Sequence, residues 1–382
     1  MANKETTMSE APTTVIPVAV AKPLQRAPAA VAATDRFIRN TWYVAMWASD
    51  LPPGKLISRT ILNEPVLLFR KEDGSVAAII DRCSHRFAPL SMGKLLPGDR
   101  VQCIYHGLEF GPDGTCVKNP HGNCMVPAAA HLRSYPVEER HSLIWIWMGT
   151  KTADPATIPD YSCLDNRPVL HVTQPGYLKV HANYELVVDN LLDLSHTSYV
   201  HAGVLGTSDT VEAEISVTQQ GDVVSVSRPS KNADTPGILK MMSPPGFEKG
   251  DQCSTISWYA PSNLILEFGV SKPGQPKEKG TGYYAIHLLT PETERTTHYH
   301  YTAARWNVLT EGDEKNAQIR EKIFEMRTFA FADQDVPVIE AQQQLMDQAR
   351  EPLTPTLLAI DAGPARYRRI LERLLNEDQK AD

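Results

Sequence analysis

The 382-residue chain has no apolar run approaching the ~18–20 residues needed to cross a bilayer, which excludes an ordinary membrane-spanning helix. It has no basic excess either. Thirty-eight Lys and Arg face 45 Asp and Glu, a formal net charge of -7, so there is no electrostatic footprint for nucleic acid or for an anionic membrane surface. Six cysteines in a chain this long make no disulfide framework. The expected setting is a reducing cytoplasm, where clustered cysteines serve as metal ligands. The apolar piece at 15–21 is short, interrupted by Pro17 and preceded by no basic region, so it does not read as a signal peptide. No G-x-G-x-x-G follows a strand-like run, and no nicotinamide or dinucleotide flavin site is evident. Any electrons the protein uses would therefore arrive from a partner. Internal repeats are absent as well.

The length suggests two domains, because single cores rarely grow beyond ~250–300 residues. Residues 1–35, rich in Ala, Pro, Thr and Val without a sustained period, read as a flexible leader. Folded structure is expected from Arg36. Short strand-like runs (PVLLF, AAII, LIWIWM) alternate there with turn signals such as Asp73-Gly74 and Asp113-Gly114. They predict a small all-β domain over 36–155, closed by the linker DPATIP at 154–159. Residues 160–382 differ in character. A helical stretch at 184–200 precedes strand-like runs near 212–217, 223–226, 254–259, 264–268, 283–289 and 296–302. Helical stretches at 313–348 and 364–376 close the chain. This order predicts an α+β domain whose antiparallel sheet carries helices on one face.

Two constellations carry chemistry. In DRCSHRFAPLSMGKLLPGDRVQCIYHGLEF, a C-x-H pair (Cys83, His85) and a C-x-x-H pair (Cys103, His106) sit in turn-rich loops. A mixed Cys2His2 set fits zinc or a Rieske [2Fe–2S] cluster. Each loop supplies one thiolate and one imidazole, which favours the two-iron cluster, with sulfur on one iron and nitrogen on the other. Cys116, Cys124, Cys163 and Cys253 have no such partners and read as buried or half-buried structural residues. In NYELVVDNLLDLSHTSYVH, Asn190, Asp193 and His196 step by three, and His201 follows five later. On a continuous helix the first three share a face, with His201 near the helix end. Two imidazoles and a distant carboxylate would make the open three-ligand site of non-haem Fe(II) oxygenases. The carboxylate is sought in FAFADQDVPVIEAQQ, which offers Asp333, Asp335 and Glu340. Pro337 should kink or restart the helix beside Asp335, and the spacing favours Asp335 over Asp333.

These motifs, in this order over essentially all of 36–350, resemble the Rieske non-haem iron oxygenases. The segments FIRNTWYVA, HRFAPLS, YHGLEF, NPHGN, VDNLLDLSH and LLTPETE resemble the demethylase-type branch, which includes dicamba and vanillate O-demethylases and toluenesulfonate methyl-monooxygenase. The resemblance implies an N-terminal Rieske domain and a C-terminal helix-grip catalytic domain. It places Cys83 and Cys103 on one cluster iron, His85 and His106 on the other, and His196, His201 and Asp335 on a mononuclear Fe(II). Gln334 stands where Glu is usual. The family implies a head-to-tail homotrimer in which Asp193 bridges a cluster histidine of one subunit and an iron histidine of the next. Asn190 is implied near the iron.

The implied activity is that of a terminal oxygenase. It uses O2, a small aromatic substrate, and electrons passed from NAD(P)H through a reductase or ferredoxin. The expected reaction is monooxygenation with O- or N-dealkylation of an aromatic xenobiotic. The alternatives are methyl or ring hydroxylation without dealkylation and, in another class, a Rieske electron carrier without oxygenase activity. For the substrate, the resemblance points to His287, to Glu267 near a position where relatives carry Asn, and to Met326 where an aromatic is usual. A carboxylate at 267 would repel an anionic substrate, so the expectation is a neutral or less polar aromatic.

Overall fold

The computed structural model describes residues 36–165, 167–206, 211, 213–351 and 353–380. The leader expected over 1–35 lies outside them. The first part of the chain forms three small antiparallel sheets. One joins Trp42–Trp47, Leu143–Trp147 and Val137–Arg140. A second runs through Leu56–Ile61, Glu64–Arg70, Val76–Ile80 and Ser134–Tyr135. The third is built from Lys94–Leu96, Arg100–Gln102, Glu109–Phe110 and Cys116–Lys118.

The second part is an eight-stranded antiparallel sheet. Its central strands are long: Lys249–Tyr259, Asn263–Ser271, Thr281–Thr293 and Thr296–Trp306. Among the described residues five α-helices accompany it: α1 (Tyr184–Leu192), α2 (Gly237–Met242), α3 (Asp313–Phe329), α4 (Val336–Gln348) and α5 (Ala362–Gln379).

Strand alternation sorts the side chains of this sheet into two faces. Ile286 and Leu288 face the first part of the chain, packing with Trp42, Trp145 and Trp147. On the other face Phe268, Tyr283, Ala285 and Ala303 pack with Ile319 and Ile323 of α3 and with Ile238 and Leu239 of α2. The strands therefore read as nearly continuous apolar runs because both faces are covered. Backbone contacts also fix the two parts together. The N–H groups of Leu62 and Asn63, in a tight hairpin, donate to the carbonyls of Pro291 (3.0 Å) and Glu292 (2.9 Å).

Two helical expectations change in detail. The helix expected over 184–200 ends at Leu192. Asp193 accepts hydrogen bonds on its side chain from the backbone N–H (2.8 Å) and the hydroxyl of Ser195. This local turn competes with helix continuation and wins. His196 then begins a single 3-10 turn, His196–Ser198. The stretch 313–348 is helical, but its middle, Ala330–Asp335, is a π-helical turn. The N–H of Val336 donates to the carbonyl of Phe331, five residues back. In a regular α-helix the ring of Pro337 would strike the carbonyl of Asp333; the wider turn removes that clash and sets Asp335 at the joint.

Candidate metal centres

The two cysteine–histidine loops have the same backbone design. In each, the cysteine N–H donates to the carbonyl five residues on: Cys83 to Ala88 (2.9 Å) and Cys103 to Leu108 (2.8 Å). The residue four positions on donates back to the cysteine carbonyl: Phe87 to Cys83 and Gly107 to Cys103, both at 3.0 Å. That fourth residue has positive φ in both loops, 60° at Phe87 and 71° at Gly107. The conformation suits glycine, whereas Phe87 holds it against its intrinsic preference. The loops thus wrap a shared centre from two sides.

Cys83 and Cys103 are buried with Leu90, Val101 and Phe110. Burial raises the Cys83 thiol, and a neighbouring Cys103 sulfur raises it further. His85 is exposed and His106 half-buried, and their rings lie 4.6 Å apart. His121 steadies the second loop with a ring nitrogen 2.7 Å from the carbonyl of His106. Two buried thiols beneath two outward imidazoles fit a two-iron cluster with one iron inside and one at the surface. Cys116 is buried and Cys163 and Cys253 are half-buried, as expected, whereas Cys124 is exposed.

The second centre draws on three segments. His196, His201 and Asp335 each offer a ligand atom, all within 4.8 Å of one another. The Nε2 atoms of the two histidines are 3.3 Å apart. Asp335 approaches His201 Nε2 at 3.1 Å and His196 Nε2 at 3.6 Å. Both histidines are oriented through the opposite ring nitrogen. Nδ1 of His201 is 2.8 Å from Oε1 of Gln334, and Nδ1 of His196 meets the Asp193 carbonyl. Those acceptors hold the ring proton on Nδ1 and turn both Nε2 atoms toward Asp335. Burial lowers the pKa of His196; at His201 burial is outweighed by Asp335, and the net shift is upward. Two imidazoles oriented through Nδ1, together with one buried carboxylate, are a fitting donor set for Fe(II).

Asn190, on the last turn of α1, donates from Nδ2 to Asp335 (3.3 Å). Asp193 is half-buried beside these groups, and it does not share a helix with His196. Arg228 braces the same turn, donating to the Leu194 carbonyl (2.7 Å) and reaching Ser198 Oγ at 3.3 Å.

The three residues expected near substrate separate. His287 is buried on the helix-covered face of the sheet, its ring 5.4 Å from Phe331 in the π turn. Its Nδ1 is 2.6 Å from the Tyr299 hydroxyl. Burial, reinforced by the Arg327 cation, holds its pKa well below the ordinary value, so it is neutral. Glu267 must be corrected. It pairs across the strands with Tyr284 and Thr255, and so points away from the face that carries His287. There it forms an ion pair with Lys277 at 2.9 Å. Strand alternation puts Leu266, one residue earlier, on the inner face, where it packs against the core. The repulsion expected between Glu267 and an anionic substrate therefore does not arise. Met326 packs beside Gly237 of α2 with the apolar cluster around Ile238 and Phe247.

The next residue, Arg327, is 2% exposed. A periodic signal for it exists: Ile319, Ile323 and Arg327 fall at four-residue steps on the buried stripe of α3.

Residues 41–136 match the Rieske [2Fe-2S] domain, and residues 180–377 match the vanillate O-demethylase oxygenase C-terminal domain. The chain is 38% identical over 355 residues to the iron-sulfur subunit of a toluene-4-sulfonate monooxygenase system from Comamonas testosteroni, covering 90% of this chain and 98% of that one. It is equally identical, at 38% over 343 residues, to the oxygenase component of dicamba O-demethylase from Stenotrophomonas maltophilia, covering 88% and 98%. Among solved structures, dicamba monooxygenase bound to 3,6-dichlorosalicylic acid superposes with a TM-score of 0.81 at 35% identity, covering 90% of this chain and 99% of the other.

Proposed function

Because the chain belongs to the Rieske non-haem iron oxygenases, in the branch of the vanillate and dicamba O-demethylase oxygenase components, we propose that it removes an alkyl group from an aromatic ether or amine by oxidative O- or N-dealkylation. As an oxygenase component it receives electrons from a reductase or ferredoxin and uses one Rieske cluster and one mononuclear iron. In the reaction one oxygen atom of O2 enters a C–H bond next to O or N, and the other leaves as water. Two electrons come from NAD(P)H through the partner, with two protons. The resulting hemiacetal or hemiaminal then collapses to a phenol or amine and an aldehyde.

The observation that carries the reading is the convergence of His196, His201 and Asp335, three ligand groups rather than four among the described residues. Three protein ligands leave positions free on an iron, and the cluster supplies electrons one at a time. His196, His201 and Asp335 are assigned to the mononuclear iron. Cys83 and Cys103 are assigned to one cluster iron, and His85 and His106 to the other. Gln334 and the Asp193 carbonyl hold the imidazoles in the ligating tautomer, and Asn190 steadies Asp335. Residues 36–155 form the Rieske domain and 160–382 the catalytic domain.

A head-to-tail homotrimer accompanies this assignment. Beside the cluster ligands, Phe87, Ile104 and Tyr105 are all more than 60% exposed, an apolar rim suited to docking on another subunit. Asp193 would lie at that junction, bridging a cluster histidine and an iron histidine. The protein works in the cytoplasm, where its cysteines stay reduced when not bound to metal.

The test is metal content plus products. The as-isolated protein should carry about three irons and two acid-labile sulfides per chain. With a surrogate ferredoxin and reductase, methoxy- and N-methyl-aromatics should give NADH-dependent aldehyde. Hydroxylated products that keep the alkyl carbon would overturn the dealkylation reading.

A further inference from the structure

Arg228 stands one residue past the strand Val223–Ser227 and continues its alternation. Val224, Val226 and Arg228 point to the same inner face, at 0%, 1% and 7% exposed. The two valines join the apolar core with Leu192 of α1 and Tyr367 of α5. Arg228 instead carries a guanidinium to the segment that bears His196 and His201. Its Nη1 donates to the Leu194 carbonyl at 2.7 Å and reaches the Ser198 hydroxyl at 3.3 Å. Its Nη2 donates to the Val211 carbonyl at 3.1 Å. The base of this side chain is fixed, because the Arg228 N–H donates to the Ser254 carbonyl of the neighbouring strand at 2.8 Å.

The three points it holds bracket both histidines. Leu194 and Ser198 lie on either side of His196, and Ser198 and Val211 on either side of His201. The segment also folds back on itself: a Cβ on Gly206 would stand 2.5 Å from the Thr197 carbonyl. One side chain from the sheet thus ties together the two arms that present the imidazoles. Filling the space would not require an arginine. Its Nε is buried with no hydrogen-bond partner among the described residues, a cost that an apolar side chain would not carry. Burial pulls the Arg228 pKa below its ordinary value, and the Asp193 carboxylate is the chief influence opposing that pull. A guanidinium does not shed its proton in a protein, so a buried cation accompanies that carboxylate.

We propose that Arg228 is a positioning residue for the mononuclear iron: by holding Leu194, Ser198 and Val211 at once, its guanidinium fixes the angle at which His196 and His201 meet a metal. It acts through these main-chain and hydroxyl groups and touches no ligand atom. The planar fork of arginine suits three separated acceptors, whereas the compact ammonium of lysine cannot span them. The inference rests on the assignment of His196, His201 and Asp335 to the mononuclear iron, and not on which substrate reacts there.

The test reads the metal rather than turnover. Full-length protein that retains its cluster is stripped of mononuclear iron and titrated with Fe(II) against a competing chelator. The geometry at the metal is then read from the EPR spectrum of the Fe(II)–nitric oxide adduct, with the cluster kept oxidised and silent. Arg228→Met should bind Fe(II) about 10- to 100-fold more weakly than wild type and give a shifted, broadened spectrum. Arg228→Lys should fall between the two, and the visible spectrum of the cluster should be unchanged in both. Val226→Ala, on the same inner face, controls for lost packing: it should lower Tm and leave Fe(II) affinity and spectrum as in wild type. Wild-type affinity and spectrum in Arg228→Met would overturn the proposal. The same result in Arg228→Lys would overturn it even where Arg228→Met fails to fold. An equal loss of affinity in Val226→Ala would reduce Arg228 to a packing residue and overturn it too. Wild-type protein that binds no mononuclear Fe(II) would refute the metal assignment and this role together, whereas binding indifferent to residue 228 would refute this role alone.

Discussion

Asp193→Asn separates the two tasks assigned to that residue. Locally, the carboxylate ends α1 by accepting from the N–H and hydroxyl of Ser195. An asparagine carbonyl oxygen can accept both bonds. Exchanging an ionised acceptor for a neutral one should cost about 1 kcal/mol, from ~1.5–3 kcal/mol for charged hydrogen bonds to ~0.5–1.5 for neutral ones. For domains of this size that corresponds to a Tm lower by about 2–4 °C. The main-chain carbonyl that orients His196 is untouched, so iron should stay. If the carboxylate also joins a cluster histidine to an iron histidine across a subunit boundary, losing its charge should lower turnover by about 10- to 100-fold or more. The assay combines iron and sulfide analysis, the visible spectrum of the cluster, and aldehyde formation. Asp193→Ala is the contrasting variant. It removes the acceptor of both bonds, lets α1 run on and displaces His196, so it should lose mononuclear iron as well as activity. An Asp193→Asn protein with both metals and full turnover would refute the bridge and leave Asp193 as a helix stop.

Asp335→Ala should keep the cluster and lose the mononuclear iron, which metal analysis would read as about two irons per chain. Gln334→Ala frees Nδ1 of His201 and should weaken iron binding about 10- to 100-fold in a chelator competition, whereas Gln334→Glu should retain it. Burial holds His287 and His300 well below the ordinary histidine pKa, so below pH ~6.5 the unfolded chain takes up protons that the fold refuses. Their contribution is therefore intact above that pH and lost as pH falls. Together they should remove about 2 kcal/mol between pH 6.5 and 5.5 in denaturant titrations. His300→Phe should remove about half of this acid sensitivity, because both nitrogens of His300 are buried without partners.

The motif-bearing loops and the order of elements were readable because their signals are local. Cys83 to His85 and Cys103 to His106 are short spacings in turn-rich sequence, and the long strands announce themselves by β-branched and aromatic content. The helical stretch at 313–348 was likewise readable, its break beside Asp335 included, because Pro337 forces one. The end of α1 was not, since a 3.6-residue pattern continues past Leu192 while the Asp193–Ser195 turn, a side-chain effect, overrides it. Glu267 failed for a different reason. A strand's period of two makes a one-residue uncertainty into a reversal of face. Arg327 lay on a legible buried stripe, but an arginine on a helix is usually solvent-exposed, and only its burial in the folded protein, with Nη2 lacking a hydrogen-bond partner among the described residues, makes it conspicuous.

The π turn at Ala330–Asp335 can also be viewed as a single-residue insertion in an otherwise continuous α-helix. Each residue of α-helix advances about 100° around the axis. One extra residue therefore gives α4 a rotational phase of its own, independent of α3. Arg327, buried against Tyr301 and Phe331, belongs to one phase, and Asp335, at the joint, opens the other. Substitutions and small shifts on α3 can re-aim its side chains without turning the metal end. A one-residue deletion within the turn would have the opposite consequence: it would tie the two phases together, bring the Pro337 ring against the carbonyl four residues before it, and swing Asp335 away from His196 and His201.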